Sequence, residues 1–85
     1  MKLRVLYFAA LRERVGCSEE MVEAPDSVAT VAQLRSWLIQ RGDTWADAFA
    51  GTRRVRAAVD QTMVDDQHVL RDGAEVAFFP PVTGG

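Results

Sequence analysis

Polar and apolar residues alternate from Lys2 to Phe8: Leu3, Val5 and Tyr7 share one side, and Lys2, Arg4, Leu6 and Phe8 share the other. A period of two reads as a β-strand. The charges on Lys2 and Arg4 mark the second side as the wet one, which leaves Phe8 an apolar residue on a face turned to water. Ala9 to Val15 fits a short helical turn closed by Gly16. Ser18 to Ala24 reads as a second strand, with Met21 and Glu23 on one face and Val22 on the other, stopped by Pro25-Asp26. The period then changes. Val31, Leu34, Trp37 and Leu38 recur at helical spacing behind Thr30, an N-cap candidate with Ser27 as competitor. Gly42 suits the C′ position of that helix, with Arg41 in its last turn. Thr44 is expected to cap a second helix through Ala50, with Trp45 and Phe49 four apart on one side and Gly51 ending it.

Alternation returns at Val55 to Val59, with Val55, Ala57 and Val59 inward and Arg56 and Ala58 outward. Asp60-Gln61-Thr62 turns into a brief extended piece, Met63-Val64. A polar connection, Asp65 to Arg71, leads through Asp72-Gly73 into a last strand, Glu75 to Phe79. One amphipathic helix over a mixed sheet with strands at both ends of the chain predicts an α+β class fold of β-grasp type, the arrangement ubiquitin uses. The first and last strands are then parallel neighbours at the sheet centre, because the helix supplies the crossover that parallel pairing requires.

Beyond Phe79 the pattern stops. Pro80 and Pro81 cannot donate ladder hydrogen bonds and fix φ, so the strand must end in a stiff, extended exit. Residues 1–81 are therefore expected to form the domain, and Val82, Thr83, Gly84 and Gly85 (residues 82–85) an extended tail. Glycine lacks Cβ, so such a tail passes through a narrow slot, and its carbonyl carbon is open to attack. A carboxylate is a poor electrophile, and using it chemically requires activation, most simply as an acyl-adenylate made by an ATP-using partner. Chain ends usually fray without a role; the rigid Pro-Pro stem shifts the reading toward a presented tail.

Composition narrows the class. Eighty-five residues make one small domain, 48% hydrophobic and 26% charged, ordinary globular material. A net charge of −2 without a basic stripe argues against nucleic acid. No apolar run approaches about 18 residues and no signal-peptide pattern opens the chain, so no membrane role is expected. A single cysteine, Cys17, makes no internal disulfide, which fits a reducing cytoplasm.

The run Asp72-Gly73-Ala74-Glu75-Val76-Ala77-Phe78-Phe79-Pro80-Pro81-Val82-Thr83-Gly84-Gly85 closely resembles the molybdopterin synthase small subunits, the MoaD family of ubiquitin-like sulfur carriers. The likeness extends over nearly the whole chain. It includes Val5-Leu6-Tyr7-Phe8-Ala9 with Leu11-Arg12-Glu13 and Gly16, Thr30-Val31 with Leu34-Arg35, and Ala57 to Val64. The Phe-Phe-Pro-Pro-Val-Thr-Gly-Gly ending is the specific part, since ubiquitin and other sulfur carriers share Gly-Gly alone.

The resemblance implies that an adenylating enzyme of the ubiquitin-activating type forms an acyl-adenylate on Gly85, and that a sulfur-relay donor converts it to a thiocarboxylate. The large synthase subunit then admits the tail, and sulfur passes to cyclic pyranopterin monophosphate to build the molybdopterin dithiolene, two loaded carriers per product. The small subunit is not catalytic alone. It binds no cofactor or metal itself, ATP being used by the activating partner. A carrier for thiazole or cysteine formation and a ubiquitin-like modifier are the alternative readings.

Strand alternation suggests the docking surface. With Val76 and Phe78 toward the helix, Phe79 faces outward beside Pro80 and Pro81, Phe8 points the same way, and Met63 completes an apolar patch. These positions resemble the family's partner contacts, and an exposed aromatic cluster is a partner site more often than decoration. The competing reading puts Phe8 or Phe79 in the core. Many relatives carry leucine where this chain has Met63. Elsewhere the residues read as structural: Cys17 has no histidine near it in sequence to activate it, and His68 stands alone. Asp65-Asp66 and Glu19-Glu20 read as solvated, and Arg53-Arg54 with Arg56 as a wet edge or a rim contact to an acidic partner.

Overall fold

A computed structural model describes residues 1–50 and 55–80 of the chain. Eight elements follow one another: β1 (Lys2–Tyr7), α1 (Ala9–Val15), β2 (Glu19–Glu23), α2 (Val31–Ile39), α3 (Asp43–Ala50), β3 (Arg56–Val59), β4 (Thr62–Val64) and β5 (Glu75–Phe79). The strands form one sheet in the order β2-β1-β5-β3-β4. β1 and β5 pair in parallel at its centre and the other pairs are antiparallel. This is the β-grasp arrangement of ubiquitin-like proteins.

The alternation behaves as a period of two demands. Leu3, Val5 and Tyr7 are buried under the helices, as are Val22, Ala57, Val59, Val76 and Phe78 from the neighbouring strands. Leu34 and Leu38 of α2 and Leu11 of α1 are fully enclosed against them. Each side chain of this size stabilises the fold by roughly 1.5–3 kcal/mol through area removed from water. Phe49 of α3 meets Phe78 edge to face, ring centres 5.4 Å apart, an arrangement aromatic quadrupoles prefer.

The start of α2 is fully satisfied. Thr30 Oγ1 accepts from the Gln33 N–H at 3.3 Å, and the Gln33 side-chain oxygen accepts from the Thr30 N–H at 3.0 Å, a complete capping box. The next two free amides, of Val31 and Ala32, donate to the carbonyls of His68 and Asp66. The polar connection between β4 and β5 is therefore an anchored segment, with Leu70 buried beneath it.

Beyond one-residue shifts at the ends of β1 to β4, the junction of α2 and α3 differs from the sequence expectation. α2 ends at Ile39, with Gln40 as its right-handed C-cap, so Arg41 lies outside its last turn and Gly42 is not its C′ residue. Instead the Gly42 carbonyl accepts from the Ala46 N–H at 3.1 Å, which makes Gly42 the N-cap of α3 and puts Thr44 inside that helix. The cause lies in Arg41. Its guanidinium reaches Glu20 of β2 at 2.9 Å and lies 4.4 Å over the Trp45 ring, so the connection between the helices is drawn down onto the sheet. The expected stop at Gly51 falls outside the described residues.

Candidate functional site

The side of the sheet turned away from the helices carries the candidate site. Register aligns four residues across it: Leu6 opposite Ala77, Ala77 opposite Ala58, Ala58 opposite Met63. Beyond this row stand Phe8, 44% exposed, and the half-buried Phe79, which pairs across the ladder with Arg56. Two alanines in the centre and large side chains around them make a shallow apolar groove of about 560 Å³, lined by Leu6, Phe8, Ala58, Ala77, Phe79 and Pro80 among others. Met63, 51% exposed, borders it from β4. At the opposite end of the face the charges are paired, Arg4 Nε donating to Glu19 at 2.6 Å with Glu75 3.9 Å away.

Local structure aims Phe8. β1 ends at Tyr7, one residue short of the expected strand, and Phe8 is the extended N-cap of α1. Its N–H still donates to the Phe78 carbonyl at 3.1 Å, so Phe8 keeps the strand's phase while the chain turns away behind it. The turn is made at Ala9, whose φ of 52° is left-handed for a residue with a Cβ, a conformation that costs roughly 1–2 kcal/mol. Gly16, at φ 84°, closes α1 with its N–H on the Arg12 carbonyl, the freedom this C-cap requires.

The structure brings Phe8, Phe79 and Pro80 together on the groove, with Met63 at its margin. The reading of Phe8 or Phe79 as core does not hold: Phe78 and Val76 are fully buried instead. Pro81, Val82, Thr83, Gly84 and Gly85 lie outside the described residues, as do Arg53 and Arg54. Leu6, Ala58 and Ala77, the groove's inner lining, were not singled out from the sequence. The alternation already put Leu6 and Ala58 on the outward side, and small residues there were the available signal.

A polar network under the helices also escaped the sequence reading. The Tyr7 hydroxyl donates to Glu20 at 2.8 Å and accepts from the Trp45 indole N–H at 3.2 Å, while Arg41 binds the same Glu20 oxygen. Burial, then the bond to Glu20, pushes the Tyr7 phenol well above its ordinary range. Cys17 is half-buried beside this network, and burial followed by the Glu20 charge raises its thiol, Arg41 opposing them. A raised thiol is a poorer nucleophile at neutral pH. Three of the four acidic residues are paired with arginine, Asp66 by two hydrogen bonds from Arg35, Glu19 by Arg4 and Glu20 by Arg41, while Asp65 accepts from the Gln67 N–H. Among the described residues no three histidine, cysteine or carboxylate side chains are grouped to hold a metal ion, and no helix is long and apolar enough to cross a membrane.

A ubiquitin-like β-grasp module with a proline-terminated central strand and a bare apolar face is thus the class. The sequence matches the ThiS family over residues 5–85. It is 47% identical to the molybdopterin synthase sulfur carrier subunit of Escherichia coli (strain K12), covering 98% of this chain and 99% of that protein. It is 40% identical to the subunit of the same name from Haemophilus influenzae, again over 98% and 99%. The fold superposes with TM-score 0.67 and 23% identity on a chain solved in the complex of subunits 1 and 2 of the molybdopterin-converting factor from Helicobacter pylori 26695, covering both chains completely. The chain belongs to the ThiS family and, within it, to the small subunits of molybdopterin synthase.

Proposed function

We propose that this protein is the sulfur-carrying subunit of molybdopterin synthase, and that Gly85 is where the sulfur rides. The observation that carries the reading is the full-length likeness to sulfur carrier subunits, and the apolar groove at the root of Pro80 supports it. The Gly85 carboxylate attacks the α-phosphate of ATP on an adenylating enzyme, releasing pyrophosphate. A sulfur donor then displaces AMP and leaves a thiocarboxylate. With the groove seated on the large subunit, the tail delivers this sulfur to cyclic pyranopterin monophosphate, and hydrolysis returns the carboxylate. The large subunit supplies the acid–base groups.

A soft nucleophile on a chain end of two glycines reaches a closed site without being released as sulfide. One face serves both partners in turn, because Phe8 and Phe79 line the groove together with Pro80.

The test is the intact mass of the chain incubated with the adenylating enzyme, ATP and a sulfur source. The expected product has one oxygen replaced by sulfur, and the loaded form reverts when the large subunit and the pterin precursor are added. An unchanged mass, or a conjugate to lysine, overturns the proposal.

A further inference from the structure

The two edges of the sheet are finished differently. On β1, Arg4 and Phe8 donate their N–H groups toward β5, so its odd-numbered residues bond β2. The outward-looking backbone groups of β2 are then those of Glu19, Met21 and Glu23, opposite Leu6, Arg4 and Lys2. Two of those three carry carboxylates, a usual way of guarding a strand edge.

β4 has no such guard. Asp60 and Gln61 form its two-residue hairpin loop with φ of 48° and 70°, the type I′ geometry. Val59 and Thr62 therefore exchange both hydrogen bonds, and Ala58 and Met63 form the open pair that follows. The Asp60 N–H donating to the Glu75 carbonyl agrees, since it places the even-numbered backbone groups of β3 on the β5 side. The N–H and C=O of Met63 thus point away from the sheet, and no described residue takes them up. The strand itself, Thr62-Met63-Val64, is uncharged. The Met63 side chain stands in the row with Ala58, Ala77 and Leu6, so this unpaired amide lies at the margin of the apolar face. Asp60 and Asp65 bracket it, and neither makes an ion pair among the described residues.

We propose that the edge of β4 is a strand-addition site, taken by an extended segment of the large synthase subunit. This rests on the reading that the large subunit seats on the apolar groove. That segment hydrogen-bonds both backbone groups of Met63, lays an apolar side chain beside Met63 on the open face, and carries lysine or arginine opposite Asp60 and Asp65. Main-chain pairing supplies register and the charges select the partner. A partner covering the groove passes this margin, and burying the Met63 amide without a bond opposes association.

Backbone amide exchange followed by NMR, on the carrier alone and with the large subunit, tests it. In the free protein the Met63 amide exchanges fast while Thr62 and Val64, bonded to β3, exchange slowly. In the complex Met63 slows by at least about tenfold and Met21, on the other edge, is unchanged. The double variant Asp60→Asn/Asp65→Asn keeps the side-chain oxygens that accept from Glu75 and Gln67 and binds several-fold more weakly, a deficit that shrinks with added salt. If the Phe8 and Phe79 ring resonances shift on binding while Met63 exchanges as fast as before, the edge proposal fails and the docking reading stands. If the large subunit does not bind, both fail.

Discussion

The two faces of the sheet are built from the same strands and differ by one residue of phase. Phe78 and Phe79 are neighbours on β5, yet the first is enclosed under the helices and the second borders open solvent. On the enclosed side large side chains interdigitate. On the open side two alanines leave a hollow between larger residues, an arrangement a self-sufficient domain has no reason to keep. Stability is thus concentrated on one face, and the other is left unfilled for something else to complete.

The sharpest way to break this contrast is a pair of substitutions one residue apart. Phe78→Ala is expected to destabilise the fold by about 3–5 kcal/mol in denaturant unfolding, through lost transfer energy and the cavity left behind. Phe79→Ala is expected to cost about 1 kcal/mol or less, while weakening binding to the large subunit at least about tenfold by titration calorimetry. Equal losses of stability would erase the distinction.

The enclosed face can be probed further. Tyr7→Phe leaves Glu20 and the Trp45 indole without the hydroxyl between them, and a loss of about 1–2 kcal/mol is expected in urea unfolding, with binding unchanged. Thr30→Ala removes the capping box and should cost about 1 kcal/mol, read as a lowered Tm.

The smallest effect is at the rim. Hydrogen bonds from Arg35 hold the Asp66 carboxyl below its usual value. A depressed carboxyl contributes stability above its unfolded pKa of about 3.9, and this is lost as pH falls through the folded value. Asp66→Asn should therefore lower stability by under about 1 kcal/mol at neutral pH, since the pair is solvent-exposed. The gap from the parent protein should close in acid; a gap that persists would assign the loss to something other than the ion pair.

Much of the fold was legible because period and punctuation agreed. Lys2 and Arg4 fixed the phase of β1, Asp72-Gly73 and Pro80 bracketed β5, and Thr30 announced α2. The junction of α2 and α3 was not legible. Gly42 satisfies either a helix end or a helix start, and the choice was made by Arg41 reaching Glu20, 21 positions away. The outward placement of Phe8, Phe79 and Met63 followed from alternation. The hollow between them did not, because an alanine gives no sign in sequence of what surrounds it.

β5 comes last of the described elements yet lies in the middle of the sheet, bonded on both flanks. The sheet cannot close during synthesis until that segment has left the ribosome, and a product truncated before it lacks Ala77, Phe79 and Pro80 together. A chain cut short of β5 therefore lacks both the closed sheet and the inner wall of the apolar groove, a dependence that comes from strand order alone.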